Sequence, residues 1–294
     1  LSINLRMTYF SPTDLLINPD GSSYHLNLRP DQIPDTLILV GDPERVPLVA
    51  QFFDEITEMV QKREFVTHLG ILKGKKIGVL SSGIGADNVE IVLNELDALA
   101  NIDLKTRTEL PHKTSLEIVR IGTCGILQKS IPLHSYIISD YALGLDNVAH
   151  FYQIEYSEKE IYLQGQLSEF LNLPKSIVPY VAAGDETIAH RLQSSNSFSG
   201  ITVTASGFYG PQGRQLRLKN STENLQLKLG QFNMNGLLVC NFEMESSALF
   251  ILGKALGHRC STICLGIANR PNLEFSKEHA TEMKELILHV LEKI

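Results

Sequence analysis

Short runs of apolar and β-branched residues recur along the chain, separated by stretches with helical periodicity. Several runs are apolar on both alternating faces, which is typical of strands covered on both sides of a sheet. They predict eight strands, at Thr36–Val40 and at residues 76–81, 116–122, 135–139, 177–183, 201–205, 237–241 and 261–267. A large, mostly buried sheet is therefore expected.

Three amphipathic helices are predicted between and after these strands. One opens near Asp87, which is expected to cap its free amides, and carries an apolar stripe of Val89, Val92, Leu93, Leu96 and Leu99. A second covers residues 245–256, with Gly257 placed to end it. The third covers residues 276–294, with Met283, Leu286, Ile287, Val290 and Leu291 on one face.

Strands that alternate with helices indicate an α/β fold with a mixed sheet. No linker or repeat interrupts the pattern, so a single domain is expected. Residues 101–115, 144–157 and 209–236 are predicted to be irregular, and a long loop of this kind is expected near the functional site.

Composition narrows the class of protein. The chain has 294 residues, 43% of them hydrophobic, and a formal net charge of −7 with dispersed basic residues. A nucleic-acid partner would require a basic patch, and a membrane partner a long apolar run, so neither is expected. A cytoplasmic protein that binds small molecules is predicted. Its four cysteines, which are Cys124, Cys240, Cys260 and Cys264, are expected to be buried, unreactive thiols.

Glycine-containing segments follow three predicted strands and are candidates for an anion site. Gly41 allows a sharp turn, and Arg45 at the end of the same GDPER segment offers a bidentate cation. The SSGIG segment at 81–85 is consistent with a phosphate loop or with a packing turn. Arg120 lies inside a buried strand and needs an anionic partner, which is either phosphate near Thr123 or a core carboxylate.

Two further segments carry polar groups suited to a nucleoside. Glu243 and Glu245 stand at a strand-to-helix junction, where they either accept hydrogen bonds from ribose hydroxyls or serve as helix N-terminal acids. Gln212 and Arg214 together offer the donors and the acceptor that the edge of uracil requires, with Phe208 available for stacking. Alone, that loop is also consistent with an ordinary turn.

The ordered series GDPER, KREF, SSGIG, RIGTCG, FYGPQGR and NFEMES resembles the nucleoside phosphorylase-I family, and within it the uridine phosphorylases most closely. The resemblance spans residues 24–294, which it implies to be the single domain, and it leaves residues 1–23 as an N-terminal extension. It implies phosphorolysis of uridine by inorganic phosphate, the co-substrate, to uracil and ribose 1-phosphate. It implies no cofactor, and a homodimer or a hexamer of three dimers.

The resemblance also implies a role for individual residues. Those implied for phosphate are Gly41, Arg45, Arg120, Thr123 and, from a neighbouring subunit, Arg63. Those implied for ribose are Glu243, Met244, Glu245 and, across the dimer interface, His25. Those implied for the base are Gln212, Arg214 and Arg270, beside Phe208. The catalytic residues expected from these sets are Arg45, Arg120, Arg214 and Glu245. Some relatives hold a potassium ion at positions that match Glu64, Ile84 and Asn88.

Three alternatives stay open. A purine nucleoside phosphorylase is the nearest, although purine-specific relatives carry an aspartate where this chain has residues 265–270 without an acid. A nucleoside hydrolase would lack a complete phosphate site, whereas every phosphate position is filled here. A non-catalytic nucleoside-binding protein is kept open by the order of Gly210 and Pro211 and by Gly213, where an acid is usual.

Overall fold

The computed structural model describes residues 8–294, and these form the predicted mixed sheet with helices packed around it. The strands of this part of the chain are β1 (Thr36–Val40), β2 (Glu55–Lys62), β3 (Phe65–Leu72), β4 (Lys75–Ser81), β5 (Ile102–Asp103), β6 (Thr108–Glu109), β7 (Glu117–Ile126), β8 (Tyr136–Gly144), β9 (Tyr180–Ala183), β10 (Ser197–Thr204), β11 (Asn233–Met234), β12 (Leu237–Glu243), β13 (Arg259–Asn269) and β14 (Glu274–Phe275). Its α-helices are α1 (Arg45–Ala50), α2 (Ala86–Asn101), α3 (Glu158–Leu171), α4 (Glu186–Arg191), α5 (Leu225–Gln231), α6 (Ser246–Leu256) and α7 (Ala280–Lys293).

The main sheet has the strand order β11-β12-β10-β8-β13-β7-β1-β4-β3-β2. Parallel pairs such as β1–β7 and β7–β13 alternate with antiparallel pairs such as β8–β13. An additional antiparallel pairing joins β12 to β7 at Asn241–Ile126 and Phe242–Gly125. This contact closes five strands, β7, β13, β8, β10 and β12, into a ring.

The helices bury their apolar faces against the sheet. Residues 246–253 of α6 are all buried, because this helix packs between the sheet and α2. The predicted stripes of α2 and α7 are buried as well, from Val89 to Leu99 and from Met283 to Leu291. Burial of this kind is the main favourable term in folding.

All eight predicted strands are confirmed, but several ends differ. β7 continues past Gly122 to Ile126, so Thr123 lies within a strand rather than at its end. The extension is stabilised because β13 and β12 both pair with residues beyond Gly122. The predicted end of the second helix, α6, at Gly257 is also confirmed, since that glycine adopts the left-handed conformation at φ 83°.

The cap of one helix and the start of another were predicted wrongly, although the first helix does begin near Asp87 as expected. Asp87 does not cap α2, because the helix begins at Ala86 and Gly85, at φ 106°, occupies the cap position without a side-chain bond. The C-terminal helix begins at Ala280 instead of Ser276. Ser276 is held by β13 through its amide, which donates to Ile267 O at 2.9 Å, and by its hydroxyl, which donates to Glu278 O at 2.8 Å.

Four regions hold more regular structure than the sequence predicted. Residues 101–115, predicted to be irregular, contain the β5–β6 hairpin, and residues 209–236 contain α5. The β2–β3 hairpin and α3 were not predicted at all. α3 had a readable signal, because Ser157 and Glu160 form a capping box, which the structure contains.

The first 7 residues of the predicted extension at 1–23 lie outside the described part of the chain. A Tyr9–Thr108 bridge joins its remaining residues to the domain, and an Ile17–Ser23 bridge lies within the extension itself. Within residues 8–294, each helix is too short or too polar to span a lipid bilayer.

Candidate active site

A cavity of about 1200 Å³ opens where β1, β4, β7, β12 and β13 end or approach their ends. Most of the predicted site residues line it, although they come from distant parts of the chain. They are Gly41, Arg45, Arg120, Thr123, Phe208, Gln212, Arg214, Glu243, Met244, Glu245 and Arg270, together with Glu64, Ile84 and Asn88. Ligand sites in α/β proteins commonly lie at this position.

One end of the cavity has the character of an anion site. Gly41 closely approaches the next loop, since a Cβ there would lie 3.5 Å from Gly83 O. Arg45 is half-buried at the start of α1, and its Nη1 donates to Ile121 O at 3.4 Å. Burial lowers the pKa of Arg45, against the opposing attraction of Asp42. A buried cation with unused donors favours an anionic ligand.

Arg120 also lines the cavity and is 3% exposed. Its Nη1 is 3.1 Å from Glu243 Oε2, and its Nη2 forms an ion pair with Glu245. Its buried Nε has no hydrogen-bond partner in the described residues. Burial alone would lower the pKa of Arg120, but the attraction of Glu245 and Glu243 raises it. Of the two anionic partners that the sequence left open for Arg120, the structure shows the core carboxylate, which Glu243 and Glu245 supply.

Glu243 and Glu245 have different surroundings. Glu243 accepts from the amides of Glu245 and Ser246, from the Ser246 hydroxyl at 2.9 Å and from the Thr204 hydroxyl at 2.6 Å. It is thus the helix N-terminal acid that the sequence allowed. Burial raises its pKa, and the attraction of Arg120 opposes that shift. Glu245 accepts from the Gly85 amide at 2.8 Å and from Arg120, which leaves further lone pairs facing the cavity.

The opposite end of the cavity is formed by the loop at 208–214. Gln212 is 3% exposed and its Oε1 accepts a hydrogen bond from Arg214. The Arg214 guanidinium covers the Phe208 ring at 3.7 Å, so one face of this ring is occupied. Arg270 Nη1 donates to Gln212 O at 2.8 Å and so ties the loop to the end of β13.

Burial weakens both arginines of this end as bases. It lowers the pKa of Arg214, and burial together with the neighbouring positive charge of Arg214 lowers the pKa of Arg270 to about 10. Two close cations beside a polar edge are suited to a group that becomes negative during a reaction.

His25 and Arg63 are the predicted site residues that do not line the cavity. His25 Nδ1 lies 2.7 Å from Glu95 Oε1, and the His25 amide donates to the same carboxylate. Arg63 is exposed in the β2–β3 turn, at φ 55°, with its guanidinium 5.8 Å from the Tyr24 ring centroid. Both residues therefore lie together on an outer surface, next to Tyr24.

The three positions matched to a potassium site lie together at the cavity rim. Asn88 Nδ2 donates to Ile84 O at 3.4 Å, and a Cβ on Gly83 would lie 2.6 Å from the same nitrogen. A cation would require the Ile84 oxygen, towards which Asn88 instead directs a donor. The potassium ion that the resemblance allows at these positions stays a prediction. Among residues 8–294, no group of three or more His, Cys, Asp or Glu residues is arranged to hold a metal.

All four cysteines are buried and without a disulfide, as the sequence predicted. Burial raises the pKa of Cys240 to about 12. Cys124 reaches the cavity wall, although it is only 4% exposed.

Gln226, at the start of α5, is a cavity residue that the sequence did not indicate. Its Nε2 donates to Gly213 O at 2.8 Å and so supports the loop that carries Gln212 and Arg214. A single glutamine in a region predicted to be irregular carries no local signal. The helical stripe of Leu225 and Leu229 was the available sign of the element that holds it.

Comparison with known proteins gives consistent matches. A family model described as the phosphorylase superfamily matches residues 35–294. A uridine phosphorylase from Thermococcus kodakarensis is 30% identical over 267 residues, covering 88% of this chain and 81% of that protein. One from Haemophilus influenzae is 31% identical over 266 residues, covering 89% and 92%. The crystal structure of a Trypanosoma brucei nucleoside phosphorylase, described as showing uridine phosphorylase activity, superposes with a TM-score of 0.87 at 28% identity, covering 96% of this chain and 100% of the other.

Proposed function

This chain belongs to the phosphorylase superfamily, and from that premise we propose that it cleaves uridine with inorganic phosphate to give uracil and ribose 1-phosphate. The observation that carries the proposal is the order of groups in one cavity. Arg45, Arg120 and Thr123 stand at one end, Glu245 in the middle, and Gln212 with Arg214 at the other. That order matches phosphate, ribose and uracil.

In the proposed reaction, phosphate attacks C1′ of the ribose from the face opposite the base. A phosphate oxygen forms a bond to C1′ as the bond from C1′ to N1 of uracil breaks, and the electron pair leaves with the base. Gly41, Arg45, Arg120 and Thr123 hold the phosphate. Glu245, with its free lone pairs, accepts hydrogen bonds from the ribose hydroxyls, and its charge stabilises the cationic ribosyl ring.

The departing uracil carries the negative charge. Gln212 holds the edge of the ring, and Arg214 and Arg270 supply positive charge where the electron pair arrives. Charge placed in advance lowers the barrier because nothing has to reorganise in the transition state. The proposed reaction needs no nucleophile from the protein, and we derive no step through a potassium ion.

Support for a pyrimidine over a purine comes from the end of β13. Residues 265–270 contain no acid, and the Nδ2 of Asn269 in this stretch donates to Ile131 O at 2.8 Å and to Gln128 O at 3.1 Å. With both side-chain hydrogens used by the protein, Asn269 has no donor left for a purine ring. The filled phosphate positions likewise favour phosphorolysis over hydrolysis.

The proposal includes an oligomer, either a homodimer or a trimer of dimers, that acts in the cytoplasm in nucleoside breakdown and pyrimidine salvage. His25 and Arg63 do not line the cavity of their own chain, and each lies beside the ring of Tyr24. We propose that they complete the ribose and phosphate ends of the cavity in a second copy. In our proposal the domain covers residues 24–294, with 1–23 as an extension.

The first test is release of uracil from uridine, followed by ultraviolet absorbance, with and without inorganic phosphate. Phosphate-dependent release with ribose 1-phosphate as the second product is expected. Release of free ribose without phosphate would show a hydrolase, and faster turnover of inosine would show a purine phosphorylase. Binding of uridine without any turnover would leave a binding protein.

A further inference from the structure

A chain of buried hydrogen bonds runs behind the cavity, from the loop after β8 to the start of α6. Asp146 accepts from Tyr180 Oη at 2.8 Å and from Ser247 Oγ at 2.6 Å. The Ser247 amide donates to Thr204 Oγ1 at 2.9 Å, and this hydroxyl donates to Glu243 Oε1 at 2.6 Å. Every side chain in the chain is at most 5% exposed, so water does not replace these bonds.

Within this chain of hydrogen bonds, the hydroxyl of Thr204 has a single possible orientation. A hydroxyl has one proton to donate. Because its oxygen already accepts the Ser247 amide, the proton of Thr204 points to Glu243. Asp146 holds the Ser247 side chain and thereby the first turn of α6, which presents that amide. The orientation of the Thr204 hydroxyl is therefore determined by groups that do not line the cavity.

Glu243 accepts the last hydrogen bond of this chain of bonds. Its side chain also lies near several other groups that carry or can carry charge. Arg120 and Cys124 face it from β7, Cys264 from β13, and Glu245 from the start of α6. Burial raises the pKa of Glu243, while Arg120 and the Thr204 hydroxyl oppose that shift. A protonated Glu243 would lose its ion pair with Arg120, which Glu245 alone would then hold less firmly in place.

We propose that Thr204 is a positioning residue for the reaction, whose hydroxyl, oriented by Ser247 and Asp146, keeps Glu243 ionised and so holds Arg120 at the phosphate end of the cavity. Only the predicted effect of Thr204 on the reaction rate rests on the proposed function. The state of Glu243 itself is a property of the protein without substrate.

The test compares Thr204→Val with Thr204→Ser, which keeps the hydroxyl. Thr202→Val is the matched control, since Thr202 is fully buried on the same face of β10 and donates at 2.8 Å to Asn241 instead of Glu243.

Loss of a hydrogen bond to a charged group changes an equilibrium constant by at least about tenfold. We expect kcat/KM of Thr204→Val to fall by about tenfold near pH 6 and much less near pH 8.5, where Glu243 ionises in spite of the loss. Thr204→Ser restores the profile.

A second readout needs no turnover. Infrared difference spectra between acid and neutral pH detect protonated carboxyl groups, and Glu243→Gln identifies the band of Glu243. We expect the band to persist to higher pH in Thr204→Val than in the wild type or Thr204→Ser. Equal midpoints in all variants, or an equal shift in Thr202→Val, overturn the proposal. Inactivity of the wild type together with a shifted band would count against the proposed function alone.

Discussion

Arg120, Glu243 and Glu245 bring three formal charges into a part of the protein that is almost closed to water. Each carboxylate is held by several donors, so the desolvation that burial imposes is offset by hydrogen bonds rather than by the ion pairs alone. At the scale of single residues, the protein thus keeps charged groups in fixed positions before a ligand arrives. This is the preorganisation that transition-state stabilisation requires.

Arg214 offers the sharpest test of this idea. We expect Arg214→Ala to lower kcat/KM for uridine by on the order of 10²–10³, as does loss of one preorganised donor. Steady-state kinetics of uracil release measure the effect. Arg217→Ala is the control, because Arg217 is exposed three residues later and does not line the cavity. An effect below about tenfold would remove Arg214 from the base-binding role.

At the scale of elements, two exposed glycines with open space around them allow the effect of backbone conformation on stability to be measured without a change in side-chain packing. Gly165 lies within α3, whereas Gly257 ends α6 at φ 83°, and a Cβ at either would contact nothing within 4 Å. We expect Gly165→Ala to raise the free energy of unfolding by about 0.5–1 kcal/mol. Gly257→Ala should lower it by about 1–2 kcal/mol, since an L residue is strained in the left-handed region. Urea unfolding would detect either change, and equal effects would contradict this account.

The partly buried carboxyl group of Asp140 on β8 makes the free energy of unfolding depend on pH. Burial, with repulsion from Glu186, raises the pKa of Asp140 to about 6, against attraction by Lys159. A carboxyl group whose pKa is raised on folding contributes most at low pH, and its contribution is lost as pH rises from about 4 to about 6.

Asp140→Asn removes this dependence. We expect its Tm to exceed that of the wild type by about 2–4 °C at pH 7.5, the shift for about 1 kcal/mol in a domain of this size, and by less at pH 5. Calorimetry at both pH values is the measurement, with the exposed Asp31→Asn as control. A wild-type Tm at pH 7.5 equal to that of the variant would show that Asp140 is not destabilising.

At the scale of the whole molecule, the balance of charge in the cavity bears on the oligomer. Arg45 and Arg120 face Glu243 and Glu245, so these four residues add no net positive charge for a phosphate dianion. An additional cation at the phosphate end would favour binding. Arg63, exposed at the β2–β3 turn, is the cation that we propose a second copy supplies.

Mixing of inactive variants tests this arrangement. We expect Arg63→Ala and Glu245→Gln to be nearly inactive separately and to regain up to about a quarter of wild-type activity after dissociation and reassociation as an equal mixture, because a closed two-fold assembly then contains intact sites. Arg45→Ala mixed with Glu245→Gln is the control and should regain nothing, since both residues line the same cavity. No recovery in the first mixture would contradict a role for Arg63 across subunits.

The local pattern of the chain determined the eight predicted strands, the apolar stripes of α2 and α7 and the buried thiols, and its motifs together with the family resemblance indicated about half of the residues that line the cavity. It did so because burial imposes a period on each element, and because turns and ligand contacts require particular residue types. Only the tertiary structure decided which groups meet. Arg120 and Glu245 are 125 residues apart and pair because β12 closes onto β7, while the β2–β3 hairpin carries Arg63 away from its own cavity. Such contacts depend on how whole strands are ordered, and no short window of sequence contains that information.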